Sequence, residues 1–239
     1  MMKTTILFDL DGTLLPIDEK TFVELYFGLM GRYFAPLGFD PKTFIQNVWA
    51  GTKAMKDNLG PDSNETLFWK VFRTIQPGLP TNIEALFLTF YETQFDLVQP
   101  SSSTNPLSNQ IVQLAKEKGY RIALATNPLF PKIATLKRLN WAGLHPNDFE
   151  LITTYETSHA SKPSKVYYQE VVQALGVSFE ECIMIGNDAL EDGITQSFGM
   201  DFYLVTDQLI NSQHIDVSTY HQGSLKDLLQ MIQSLPTCT

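Results

Sequence analysis

The sequence predicts an α/β fold: a parallel sheet with helices on both faces, interrupted once by an inserted helical segment. Three observations lead there. Short apolar runs recur along the chain, amphipathic helical patterns separate them, and residues 17–104 break the alternation over a length far beyond a simple loop.

The first run, Thr4 to Asp9, is short, apolar and followed by Gly12, which suits a buried strand better than a helix. Further strands are expected at Arg121–Thr126, Glu150–Thr153, Cys182–Gly186 and Phe202–Val205. Among the helices, Leu107, Ile111, Leu114 and Ala115 make one face, with Asn105 and Pro106 at the start and Gly119 as the stop. Tyr168, Val171, Val172 and Leu175 make another, ended by Gly176. Leu225, Leu228, Leu229 and Ile232 make a third, with Ser224 and Asp227 spaced as a capping pair.

The interruption reads as four helices, Lys20–Phe34, Pro41–Lys56, Ser63–Ile75 and Asn82–Leu97, punctuated by Pro36, Gly38, Gly60-Pro61, Pro77-Gly78 and Pro80. The run Gln99–Thr104 is the expected return hinge. The expected division is therefore a core of residues 1–16 and 105–239 and a helical domain of residues 17–104. The insert is rich in aromatics, among them Phe22, Tyr26, Phe34, Trp49, Phe68, Phe72 and Phe90, expected chiefly as its core.

With 44% hydrophobic and 18% charged residues, the chain can bury a sizeable core. Its formal net charge of -9 disfavours nonspecific nucleic-acid binding, and it means that a phosphate ligand needs a local cation. Cys182 and Cys238 suggest neither a disulfide framework nor a zinc site. The opening Met-Met-Lys-Thr-Thr lacks a signal-peptide layout, and no apolar run reaches membrane-spanning length, so the expectation is a cytoplasmic protein without a membrane partner.

Four features carry chemistry. Asp9 and Asp11 flank Leu10 at a strand end, where residues two apart point to one side and two carboxylates crowd one site. Such a pair can supply a nucleophile and an acid/base, although Asp-x-Asp-Gly is also an ordinary strand-end turn. Thr126-Asn127-Pro128 ends the next strand and offers a hydroxyl to a phosphoryl oxygen; it too is common turn chemistry. Lys162 precedes Pro163, a residue suited to a helix's first turn, so Lys162 is expected at an anion-attracting helix start, with Lys165 as a competitor. Finally Gly186-Asn187-Asp188 and Asp192 follow another strand, where carboxylates from two strand ends can share a largely hydrated Mg²⁺.

In this order, Phe8-Asp9-Leu10-Asp11-Gly12-Thr13, Thr126-Asn127, Lys162-Pro163 and the acids after Gly186 resemble the haloacid dehalogenase superfamily over roughly residues 4–16 and 105–206. The resemblance implies a Rossmann-like core, with the insert in the place of that superfamily's first-type cap. It implies a Mg²⁺-dependent phosphatase acting on a small phosphorylated metabolite. Asp9 is then the nucleophile that forms an aspartyl-phosphate, and Asp11 the general acid/base whose carbonyl also ligates Mg²⁺. Thr126 and Asn127 bind phosphate, Lys162 neutralises charge, Asp188 completes the protein ligands of the metal with Asp9 and Asp11, and Asp192 supports the metal or Lys162. Many relatives read Gly-Asp where this chain reads Gly-Asn-Asp; the four-residue step from Asp188 to Asp192 favours Asp188 over Asn187. A phosphomutase or phosphotransferase would share every motif, and a noncatalytic phospho-ligand-binding relative would keep the fold alone. A dehalogenase has no need of Asp11, and a phospho-accepting receiver domain would not open on its acid pair.

Overall fold

The computed structural model describes residues 2–238, so the outermost positions of the expected core, 1 and 239, lie outside it. Six strands form one sheet in the order β3-β2-β1-β4-β5-β6. They are β1 (Thr5–Phe8), β2 (Arg121–Leu124), β3 (Leu151–Ile152), β4 (Cys182–Gly186), β5 (Asp201–Val205) and β6 (His221–Gly223). Every neighbouring pair is parallel, with Phe8 level with Leu124 on one side and Ile185 on the other. The predicted α/β sheet is therefore present. Because β1 lies between β2 and β4, the chain reverses direction of travel across the sheet at β1, and ligand crevices form at such a switch point.

The core helices are α5 (Pro106–Glu117), α6 (Lys132–Trp141), α7 (Lys165–Leu175) and α8 (Leu225–Ser234). Their ends follow from local chemistry. Asn105 caps α5 through Leu107 N–H, Gly176 ends α7 in a left-handed conformation, and Ser224 with Asp227 forms a complete capping box on α8.

The segment after β1 holds α1 (Glu19–Phe34), α2 (Pro41–Lys56), α3 (Asn64–Ile75), α4 (Ile83–Thr93) and a 3-10 turn at Phe95–Ser101. Asp18, Asp40 and Ser63 cap the first three. The fourth was expected to run to Leu97 and stops at Thr93. The expected hinge begins inside the 3-10 turn, where Pro100 can neither donate to residue 96 nor fit an α-helical turn. The two chain crossings lie side by side: Ile17 bridges Ser102, Asp18 N–H donates to the Ser101 carbonyl at 2.8 Å and Ser103 N–H to the Pro16 carbonyl at 3.0 Å.

Rings dominate the insert. Phe34 stacks on Phe44 at 4.4 Å and meets Phe87 at 4.8 Å, and Phe68 stacks on Phe72 at 5.6 Å. Most of the expected aromatics are buried there; Trp49 is the exception, half exposed. This apolar cluster runs without a break into Ile6, Phe8 and Ile122 of the sheet. A second cluster, built from Tyr167, Tyr168, Val171 and Met184, covers the opposite face.

Candidate active site

The ends of β1, β2 and β4 bring the predicted residues to one place. Asp9, Asp11, Thr126, Asn127, Lys162, Asp188 and Asp192 all line one cavity of 350 Å³. Asp9 is held in line by its N–H, which donates to the Ile185 carbonyl at 2.9 Å and so extends the strand pairing by one residue. The turn behind it needs glycine: Gly12 has φ +79°, and a Cβ there would collide with the Asn187 amide. A Cβ on Gly186 would likewise collide with the Asp192 carboxylate.

At the centre is a buried ammonium. Lys162 Nζ donates to Asp9 Oδ1 at 2.8 Å and to Asp192 Oδ1 at 2.6 Å, and its side chain is 1% exposed. Burial alone would lower its pKa, but Asp192 and Asp9 outweigh burial and hold it well above the ordinary lysine range, so it is charged. Burial and the Asp9 charge push the Asp192 carboxyl up to about 7, against the opposing pull of Lys162. Asp192 Oδ2 also accepts from Asp188 N–H at 3.1 Å.

Lys162 reaches this position differently from expectation. Helix α7 starts at Lys165 behind the Ser164 cap, so Pro163 precedes the helix and the ammonium acts as a point charge without the helix terminus. The competitor, Lys165, faces the Phe198 and Phe179 rings at 5.3 and 5.8 Å instead.

Thr126 is fixed through its carbonyl, which accepts from the Thr153 hydroxyl at 2.7 Å and the Tyr167 hydroxyl at 2.9 Å. The Asn127 amide donates to Glu191 at 2.8 Å, while its Oδ1 is buried without a partner. Thr13 sits with its hydroxyl 3.1 Å from both Asp9 Oδ2 and Asn187 Oδ1, sharing its single proton between two acceptors. Both heads of the Asn187 amide are thus engaged, since its Nδ2 donates to the Gln208 carbonyl at 2.7 Å. Asp188 commits only Oδ1, which caps the Leu190 and Glu191 N–H groups at 2.8 Å each, so Oδ2 is the acidic oxygen left for a cation.

Three contributors were missed in the sequence. Gln208 clamps the backbone of Ile17, accepting from its N–H at 2.8 Å and donating to its carbonyl at 2.9 Å. Asn64, at the start of α3, fastens the insert to the core. Its amide donates to the Pro128 carbonyl at 3.1 Å, the Ala160 carbonyl at 3.2 Å and Ser161 Oγ at 3.3 Å, next to two motif residues. Arg138, on α6, donates from Nη1 to Asp11 Oδ2 and stacks over the Phe130 ring at 4.5 Å. Burial pushes the Asp11 carboxyl up; Arg138 opposes this and Asp9 adds to it, with a net rise.

Lys56 lines the cavity from the insert, whereas Lys53 pairs with Asp57 in solvent. Glu156 caps the start of α6, and His159 faces Glu170. A larger cavity of 780 Å³ between α4 and α6 holds none of the motif residues, so chemistry rather than size identifies the site. Among the described residues no three Asp, Glu, His or Cys side chains form a ready metal cluster, and no helix is long and apolar enough to cross a membrane.

Residues 3–192 match the family model described as haloacid dehalogenase-like hydrolase. A glyceraldehyde 3-phosphate phosphatase of Methanothermobacter thermautotrophicus is 26% identical over 160 residues, covering 65% of this chain and 67% of its own. A ribulose-1,5-bisphosphate 5-phosphatase of Halopiger xanaduensis is 26% identical over 196 residues, covering 80% and 79%. The crystal structure of a HAD phosphatase from Thermococcus onnurineus superposes with a TM-score of 0.61 at 20% identity, over 99% of this chain and 100% of that one.

Proposed function

We propose, for a chain that belongs to the haloacid dehalogenase-like hydrolases, a Mg²⁺-dependent phosphatase of the cytoplasm that hydrolyses a small phosphomonoester through an aspartyl-phosphate on Asp9. The observation that carries this reading is the buried Lys162 ammonium bonded between Asp9 and Asp192, beside a second carboxylate, Asp11, in one cavity. A buried cation among acids at a sheet's switch point is suited to a dianionic group, which the acidic surface would otherwise repel. The phosphatases among the relatives support the same reaction class.

The donor set fits magnesium. Asp9, the Oδ2 left open on Asp188 and the backbone carbonyl of Asp11 are hard oxygens that would hold the ion, and with no closed cage of side chains among the described residues it would keep several waters. When bound, Mg²⁺ supplies positive charge against the phosphoryl oxygens.

The chain's own residues do the rest. Thr126, with Asn127, and Lys162 hold the phosphoryl group in line with Asp9. The Asp9 carboxylate attacks phosphorus; the new O–P bond forms as the ester P–O bond breaks, and Asp11 delivers its proton to the departing alkoxide. Burial favours that protonated form of Asp11. Asp11, now a carboxylate, takes a proton from water as the water attacks phosphorus. The Asp9–P bond breaks, and inorganic phosphate leaves. Lys162 stays charged throughout, held by Asp192. Residues 17–104 act as a cap that excludes water while the first step proceeds.

Replacing Asp9 with Asn tests the reading. Asp9→Asn is expected to lower Mg²⁺-dependent hydrolysis of p-nitrophenyl phosphate by at least about a thousandfold with unchanged circular dichroism. Full activity in that variant overturns the mechanism.

A further inference from the structure

Arg138 is buried deeper than its partnership with Asp11 requires. It lies on the inward face of α6 with Ala134, Thr135 and Leu139, and is 2% exposed. Among the described residues only Nη1 finds an acceptor. Nε and Nη2 are buried with no hydrogen-bond partner. Leaving guanidinium donors unmade in a dry environment is costly, and a purely structural arginine is normally satisfied all round. Asn64, equally buried, shows how this fold treats a structural polar group, with the amide fully engaged.

The two open donors have a specific shape. Nε and Nη2 form one edge of the planar guanidinium, which presents two parallel N–H groups and matches an oxyanion bidentately. Their location is equally specific. Arg138 touches Asp11, the residue that protonates the leaving oxygen. It also lines both the 350 Å³ cavity and an adjoining 330 Å³ cavity walled by Phe22, Tyr26, Phe27 and Trp49. Lys56 lines both cavities as a further cation, 3.7 Å from Glu191 in the first; the carboxylates shared by the two cavities are Asp11 and Glu19.

We propose that the alcohol half of the substrate carries a second anionic group, a carboxylate or phosphate close to the ester oxygen, and that the Nε–Nη2 edge of Arg138 binds it. The inference rests on the phosphatase reading and adds the substrate class to it. Arg138 is then a specificity-determining residue placed by the core rather than by the insert. The edge is closed to bulk solvent, so on this proposal the anion reaches it from the cavity only if the packed side chains around Arg138, Phe130 among them, give way. Once there it is desolvated, the condition in which a guanidinium discriminates best.

The test compares short phosphocarboxylates and bisphosphates with n-alkyl phosphates of equal length, at saturating Mg²⁺, in native enzyme and in R138Q, R138K and K56Q. Native kcat/KM for the best doubly anionic ester is expected to exceed that for its neutral counterpart by at least about tenfold, the value of a charged hydrogen-bonded pair. The preference should collapse in R138Q, be partly kept in R138K, and change least in K56Q. A native enzyme that hydrolyses the neutral esters as well overturns the inference, as does a preference that survives in R138Q. Should R138Q fail to fold, a native preference that survives K56Q supports the assignment, and one that K56Q removes overturns it. Hydrolysis of no ester in the panel, p-nitrophenyl phosphate included, refutes the phosphatase reading itself.

Discussion

The strand-end site and the aromatic insert are both buried, and they are made of opposite materials. The site places Lys162, Asp192 and Asp9 under the surface together. In the insert, among the described residues 19–101, no Asp, Glu, Lys or Arg is buried, and ring packs on ring. Desolvating each ion costs several kcal/mol, so the site is a poor way to stabilise a fold and a good way to prepare charge for a reaction. The insert does the reverse: it contributes apolar burial and little chemistry. Activity and stability should therefore separate by region when side chains are removed.

Asp9→Asn gives the largest expected effect on one side of that divide, the thousandfold loss described above, with a melting temperature close to native because Lys162 keeps Asp192 as a partner. A large fall in melting temperature would break the contrast. Phe34→Ala is its counterpart. It removes a fully buried ring and should cost about 3–5 kcal/mol in a denaturant titration, with residual kcat close to native at temperatures where the variant stays folded.

Gly51→Ala sharpens the same point on a smaller scale. Helix propensity alone favours Ala within α2, but the new Cβ would lie 2.6 Å from the Phe68 ring. Overpacking should win and cost about 1–3 kcal/mol. A more stable variant would mean the rings yield.

Acid titration probes the other material. A carboxyl whose folded pKa is raised binds its proton more tightly in the native state. Asp192, at about 7 against the ordinary 3.8, therefore lowers stability as pH rises from about 4 through 7. In metal-free protein, the melting temperature of native enzyme relative to Asp192→Asn should fall as pH goes from about 5 to 8. A difference that is flat with pH would place the Asp192 titration outside that window.

The sequence made the strand ends legible because each combines an apolar run with abrupt polar chemistry. Asp9, Thr126 and Asp188 follow that rule, Lys162 was legible instead from the Pro163 beside it, and all four reach one cavity. Helix α6 did not follow it. Its buried face includes Thr135 and Arg138, which spoil the apolar period, and Pro131 offers no side-chain cap. Arg138 was hidden with it; the usable signal was an arginine four residues after Ala134 and one before Leu139, on what becomes the inner face. Strand β6 was also invisible. His221, Gln222 and Gly223 carry no apolar alternation, and the strand exists through its backbone pairing with β5. Asn64 and Gln208 act through contacts distant in sequence, which no local pattern encodes.

The Gln208 clamp has a mechanical meaning. The crossing strand at Ile17 is bonded to the Gln208 side chain, the Gln208 carbonyl to Asn187, Asn187 to the Thr13 hydroxyl, and that hydroxyl to Asp9. These links act in series, like a train of gears. The proposed cap and the proposed nucleophile therefore share one continuous hydrogen-bonded linkage, and its four bonds are what a movement of one relative to the other would have to bend or break.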